Sequence, residues 1–436
     1  MRFDASAARL AAGLLPQEDH TVVVETRKGS QPMQQAPRSL HDIAQQYRWF
    51  QQMRAEQPVW RDDASECWHV FRYADVQRVL TDHTGFSSSF RRRIRTRPML
   101  SAPSLIEMDP PQHSQYRGLI APAFTPRALA RLSARIAAIV QELLDRVRST
   151  GRMEVIGDLA YPLPSTVIAE MLGVPAEDRP MFKRWADALF SSQVSDAELL
   201  HSEEPEGVRQ IEPVMQEMTD YFAQKLDERR RQPRADLLSD LLAAEVDGEH
   251  LSQEALTSFC FLLLLAGHVT TTNLIGNAIL CFDEHPAAMD QLREQPELMP
   301  GAIEEVLRYN SIVWRIGRIA TTESTFAGVR IPADAVVFAW VASANRDGAQ
   351  FPDPERFDIS RSPNRHLAFG HGIHFCVGAP LARLEASIAL PMMLEQLPQL
   401  RRVPAAPVEL LPSRILSGVK RLPIMFAPAM SSRRTA

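Results

Sequence analysis

Residues Phe259 to Ala266 (FCFLLLLA) form an unbroken apolar run inside a longer stretch of helix-forming residues. Ser252 stands before that stretch as an N-cap, and Glu254 falls in the first turn, where a carboxylate complements the helix dipole. The pattern predicts one helix from there to about Asp283. A helix with a single apolar stripe lies on a surface, whereas one that is apolar all round has to be enclosed. The remainder of the chain must therefore wrap around this helix. The run is far short of the roughly 20 residues that cross a membrane, so it reads as the centre of a folded body.

The surrounding chain supplies mostly helices to do the wrapping. From Pro126 onward, Leu129, Leu132, Ile136, Ile139, Leu143 and Val147 recur at steps of three or four, which predicts one amphipathic helix. Strand signals are short, at Cys67–Arg72 and Ala335–Val341, the latter rich in β-branched and aromatic residues. With 32 prolines set mostly between helical segments, many tight connections are expected. No internal repeat and no linker divides the body. The expectation is a single domain, mainly α with small β-sheets, over residues 38–428. Residues 1–37, of mixed polarity with a Gly-Ser-Gln-Pro break, read as a poorly ordered N-terminal extension, and 429–436 as a C-terminal tail.

Composition excludes several partners. A net charge of -5 over 436 residues gives no reason to expect nucleic acid. The opening MRFDASAARLAAGLL is interrupted by Asp4 and Arg9, so neither a secretion signal nor a membrane anchor is expected. The four cysteines, at 67, 260, 281 and 376, form no C-x-x-C pair, which speaks against a zinc ribbon or a dithiol redox site. Few scattered thiols suit a reducing cytoplasm.

One cysteine stands in unusual company: Phe369-Gly370-His371-Gly372-Ile373-His374-Phe375-Cys376-Val377-Gly378. A thiolate can ligate haem iron and push electron density towards it, provided water is kept away and backbone N–H groups hold the sulfur. A glycine-rich turn offers such donors at close approach, Phe369 can cover the sulfur, and the helix expected from Ala379 turns its positive end towards it. A buried cysteine in an ordinary glycine-rich loop is the alternative for Cys376 alone. His366, His371, His374 and Cys376 also fit some zinc spacings, which would make a colourless protein.

The whole pattern resembles the cysteine loop of the cytochrome P-450 family, in its soluble bacterial branch, and the resemblance extends from about residue 40 to Phe426. It implies a haem b monooxygenase, with haem between the long central helix and the cysteine loop and Cys376 as the iron ligand. Glu305-Val306-Leu307-Arg308 resembles the family's E-x-x-R pair, which braces the fold behind the haem. His113, Arg117, Arg318 and His366 match positions that contact the haem propionates, for which arginine forks suit a carboxylate. On the oxygen-facing side, Ala266-Gly267-His268-Val269-Thr270-Thr271 resembles the family's oxygen-binding segment. Ala266 and Gly267 leave room there, and Thr270 supplies a hydroxyl.

Val269 departs from that pattern, because the family places an acid before the threonine as a proton relay. A peroxide-using or non-catalytic haem-thiolate protein is therefore the second functional reading. The resemblance further implies a small organic substrate, such as a polyketide or another secondary metabolite. It also implies electrons from NAD(P)H through a ferredoxin-type partner with its reductase. Arg91, Arg92, Arg93, Arg95 and Arg97 form a basic run where the resemblance implies a loop over the haem pocket, and Asp196, Glu198, Glu203, Glu204 and Glu206 cluster where it implies the facing lid. This pairing suggests either two solvated loops or a receptor for an anionic or carrier-protein-linked substrate. Arg127, Arg131, Arg135, Arg365 and Arg383 are candidates for docking an acidic redox partner.

Overall fold

A computed structural model describes residues 37–90, 93, 102–191, 194–404 and 406–428. Apart from Pro37, the extension and the tail expected from sequence lie outside these residues. Ten helices position the site: α1 (Leu40–Glu56), α2 (Tyr73–Thr81), α3 (Gln112–Ile120), α4 (Ser133–Val147), α5 (Pro162–Met171), α6 (Asp196–His201), α7 (Glu206–Arg231), α8 (Gln253–Glu284), α9 (Met299–Tyr309) and α10 (Ala379–Gln396).

The central helix is α8. Ser252 caps it by accepting the Ala255 N–H at 3.2 Å, as its sequence predicts. It is the one described helix long and apolar enough to cross a membrane, and 72% of its most apolar window is buried inside the fold. Leu264 and Ile275 of α8 share one core with Ile136 and Val140 of α4, Leu163 and Ile168 of α5, Phe222 of α7, Ile303 of α9 and Leu390 of α10. Fully burying an aliphatic side chain stabilises by about 1.5–3 kcal/mol. The apolar run therefore organises the body around itself.

The amphipathic stretch from Pro126 is two helices, Pro126–Ala130 and α4. At the break, the Arg131 N–H donates to Ala128 O and the Leu132 N–H to Leu129 O. These bonds span three residues instead of four, a local tightening that interrupts the helix while keeping the apolar spacing. Apolar periodicity alone does not register such a break.

Five strands form the main sheet: β1 (Val59–Arg61), β2 (Trp68–Val70), β3 (Phe86–Ser87), β4 (Ile316–Ala320) and β5 (Val336–Ala339), in the order β1-β2-β5-β4-β3. Strand β5 runs parallel to β2, with Phe338 opposite His69, and antiparallel to β4, with Val337 opposite Arg318. The two strands read from sequence, Cys67–Arg72 and Ala335–Val341, are β2 and β5, each shorter than the segment read. A three-stranded sheet joins Arg152–Glu154, Pro423–Met425 and Arg401–Arg402.

Candidate functional site

The cysteine loop is a chain of tight backbone turns. The Gly370 N–H donates to Leu367 O at 2.8 Å, the Phe375 N–H to Gly372 O at 3.1 Å, and the Cys376 N–H to Phe369 O at 2.9 Å. Gly370 and Gly372 have φ of +72° and +69°, and a Cβ on Gly372 would lie 2.9 Å from Leu80 O at the end of α2. Both φ and crowding therefore demand glycine at 372. Cys376 is accessible at its surface, yet burial is the main influence on its thiol and pushes the pKa up. Both hold for a group on the floor of a cleft, open on one side and walled on the others. The N–H groups of Gly378 and Ala379, then Arg117 and Arg383, pull the pKa back down. These are the donors that a glycine turn and a helix start were expected to supply.

Beside this loop lies a cluster of cationic and imidazole groups. His113 of α3 is 1% exposed, and neither of its ring nitrogens has a hydrogen-bond partner among the described residues. Its ring centroid is 4.1 Å from that of His374. Arg117, one turn along α3, donates to Phe375 O at 2.5 Å. Arg318 of β4 is 6% exposed and donates to the adjacent Gly317 O at 2.8 Å. It has no ion pair among the described residues.

The electrostatics of the cluster follow from that crowding. Burial brings Arg318 down to about 10. Burial, then Arg318, His113 and Arg117, bring His374 down to about 3. Burial and Arg117 also lower His113. Asp109, the nearby acid, accepts instead from the Ser88 N–H at 2.8 Å and the Ser87 hydroxyl. Buried donors without acceptors are costly, and this set would be completed by carboxylates.

Three of the four residues read as carboxylate contacts, His113, Arg117 and Arg318, are thus gathered. His366 is not. Its Nδ1 accepts the Ala368 N–H at 3.2 Å and its Nε2 lies 3.0 Å from Glu304 Oε2, so both nitrogens are occupied. His374 stands in the cluster instead, with its Nε2 2.9 Å from Ser88 Oγ. It was in plain view two residues before the cysteine. Its place beside His113 depends on α3 and on the segment after β3 meeting the loop, which sequence spacing does not encode.

Behind the loop, Glu305 and Arg308 form the expected ion pair, and it is fully buried. Arg308 Nε and Nη2 donate to the two carboxylate oxygens at 2.8 and 2.7 Å, with both side chains 0% exposed. The remaining Arg308 bonds reach the carbonyls of Asn345, Pro354 and Arg356. Glu305 also accepts from the Asp358 N–H, Arg361 and Asn364. The pair therefore pins the segment that leads into the cysteine loop.

On α8, accessible surface interrupts an otherwise buried helix: Ala266 is exposed and Gly267, Val269 and Thr270 are half-buried. Thr270 Oγ1 donates to Ala266 O at 2.7 Å, the local backbone bond that strains a helix turn. A Cβ on Gly267 would lie 3.1 Å from two side-chain carbons of Ile168. The glycine thus also eases the close approach of the Ile168 side chain of α5 to α8. His268, on the opposite face from Thr270, is fully buried with Nδ1 against Leu264 O, and burial brings it down to about 4.

A profile of the family described as "Cytochrome P-450" matches residues 32–399. The chain belongs to the cytochrome P-450 family. It is 44% identical to the erythromycin C-12 hydroxylase of Saccharopolyspora erythraea, over 78% of this chain and 84% of that protein. It is 41% identical to the cyclomarin C epoxidase CymV of Salinispora arenicola, over 89% and 96%. Its fold superposes on a mutant of P-450 EryK in complex with erythromycin B with a TM-score of 0.83, at 40% identity, covering 91% of this chain and 99% of that one. The protein is accordingly a haem-dependent P-450 monooxygenase with a single-domain, mainly helical P-450 fold.

Other expected contacts resolve differently. Among the described residues, no group of three or more histidines, cysteines or acids could hold a metal ion. His366 faces Glu304 and His371 Nδ1 lies 3.1 Å from Thr81 Oγ1, so the zinc reading loses its ligands. Of the basic run, Arg93 alone lies within the described residues. Asp196 pairs with Arg315 through two contacts of 2.7 Å, and Glu198 caps α6 at Ser195, so these acids have partners elsewhere. Arg135 is paired with Glu170 and Glu142, and Arg383 with Glu304, which removes two free charges from the suggested docking face.

Proposed function

We propose that this P-450 binds haem b between the accessible stretch of α8 and the cysteine loop, in a catalytic domain spanning residues 38–428. On this reading Cys376 ligates the iron through its thiolate, and Phe369 covers the sulfur. His113, Arg117, Arg318 and His374 hold the two propionates. The observation that carries the reading is the pair of unpartnered nitrogens on buried His113 beside three further donors, a donor set with the chemistry of a carboxylate site.

Bound haem supplies the activation of O₂ and the transfer of one oxygen atom to carbon. The chain's own residues do the rest. Thr270, once it releases the Ala266 carbonyl, can hold water and pass protons at its Oγ1. Val269 can neither donate nor accept a proton, so the hydroxyl and its water carry that task without the usual acid. The substrate is a small organic secondary metabolite, a polyketide macrolide or similar, in keeping with relatives named for the hydroxylation of erythromycin and of mycinamicin IV. A carrier-linked or anionic form of it would rest on the arginines from 91 to 97. A cytoplasmic ferredoxin with its reductase delivers the electrons.

The test is the absorption of the reduced, carbon-monoxide-bound protein. A thiolate-type red-shifted Soret band is expected in the wild type and is lost in Cys376→Ala. A histidine-type spectrum in the wild type, or one unchanged in the variant, overturns the assignment.

A further inference from the structure

We propose that Glu304 is a positioning residue for the cysteine loop, acting through Arg383 and His366 on Phe369 and the thiolate behind it. The proposal rests on Cys376 holding the haem iron. Glu304 is the neighbour of Glu305 on α9, but it faces different partners. Arg383 Nε and Nη2 each donate to it at 2.7 Å, a two-pronged contact, and His366 Nε2 lies 3.0 Å away. Because His366 Nδ1 accepts the Ala368 N–H, a neutral ring carries its proton on Nε2 and donates it to the carboxylate.

Both groups that Glu304 holds converge on Phe369. His366 fixes the backbone immediately before it through Ala368. Arg383 sets its guanidinium 4.5 Å from the centroid of the Phe369 ring, a cation–π contact. The Phe369 carbonyl in turn accepts the Cys376 N–H. The phenyl ring and the backbone of this residue are therefore gripped by two side chains that share one carboxylate. The two grips hold Glu304 ionised, at about 2. Neighbouring carboxylates on α9 thus divide the approach to the cysteine: Glu305 holds Asp358, Arg361 and Asn364, and Glu304 holds His366 and Arg383.

A charge held near a thiolate-bound iron favours one oxidation state over the other. An arginine there favours the reduced state and raises the midpoint potential. Pinning by Glu304 sets where that charge sits. The experiment is a double-substitution cycle read as the ferric/ferrous midpoint potential of the purified holoenzyme. Arg383→Gln should shift the potential to more negative values. Glu304→Gln removes a carboxylate charge, which by itself raises the potential equally in both backgrounds, so the proposal expects its shift with Arg383 present to differ from its shift in the Arg383→Gln background.

An equal Glu304→Gln shift in both backgrounds, or none in either, overturns the proposal, because a direct charge effect or a purely structural role would give those results. If Glu304→Gln fails to retain haem, Glu304→Asp is read in the same cycle. It keeps the charge but is one methylene too short for the two-pronged contact, so the same dependence on Arg383 is expected. A histidine-type carbon-monoxide spectrum in the wild type would instead overturn the haem-thiolate reading itself. A thiolate spectrum with a flat cycle overturns the role of Glu304 alone.

Discussion

Glu305 and Arg308 are wholly buried, and each of their charged atoms meets a partner from the same chain. Arg318 is nearly as buried, yet among the described residues it reaches only the carbonyl next to it, beside a His113 whose two ring nitrogens have no partner there. The first region is finished by folding. The second is finished by something added to the fold. Buried charge therefore does two jobs here, and burial by itself does not tell them apart. The inventory of partners does, because an internal brace closes its own hydrogen bonds and a binding site leaves them open.

The contrast is broken most forcefully at Arg308. Arg308→Ala strands the Glu305 carboxylate in a dry interior, and a loss of about 3–5 kcal/mol is expected in urea denaturation of the protein. A loss under about 1 kcal/mol would mean that the network is not a brace. Arg318→Leu should behave the opposite way. Apoprotein stability should hold or rise, because an unpaired buried cation disappears. Haem affinity should fall by about 1.5–3 kcal/mol, the scale of one hydrogen bond to a charged group, measured by haem transfer to an acceptor protein. Equal destabilisation of the apoprotein by both substitutions would erase the distinction.

Acid sharpens the comparison further. Glu304 sits at about 2 against an ordinary 4.5. Its depressed value contributes stability that is complete above the ordinary pKa and is lost as pH falls from about 4.5 towards 2. His374, lowered to about 3 from 6.5, is likewise held neutral, and its contribution fades as pH drops below 6.5. Wild type should therefore lose more stability between pH 7 and pH 3 than Glu304→Gln, by about 1–2 kcal/mol after solvent screening. An identical acid profile for the two would show that the Glu304 contacts do not survive in solution.

The smallest effect on stability is expected on α8. Thr270→Ala removes a hydroxyl bonded to the Ala266 carbonyl of its own helix, so stability should barely change. Product formed per NAD(P)H should nevertheless fall, with hydrogen peroxide rising to match. Unchanged coupling would shift proton delivery to a group on the substrate.

The features legible in sequence were those carried by neighbours along the chain. An apolar run surrounded by helix formers reports enclosure, a glycine-rich turn reports close approach, and an i, i+3 pair reports a shared helix face. What escaped depends on residues far apart meeting. His374 stands within the cysteine loop itself, but its role appears only when α3 brings His113 against it. Glu304 was overshadowed by Glu305, because both fit a helix and only the folded chain shows which partners each one faces. The tight fit of Gly267 against Ile168 is likewise unreadable, because that side chain comes from a separate helix. The break at Arg131–Leu132 preserves apolar spacing and is therefore invisible to periodicity.

The contact of Gly372 with Leu80 O joins points nearly three hundred positions apart, and Thr81 and Gln77 reinforce it by reaching His371. On the ribosome, α2 emerges long before its counterpart exists. Contacts of such long sequence separation form slowly, because the intervening chain has to be ordered first. The wall of the ligand loop is therefore closed only when both distant segments are in place, and until then there is no complete cleft to retain a cofactor. A supply of haem that runs short late in synthesis would leave behind a chain that is largely folded and colourless.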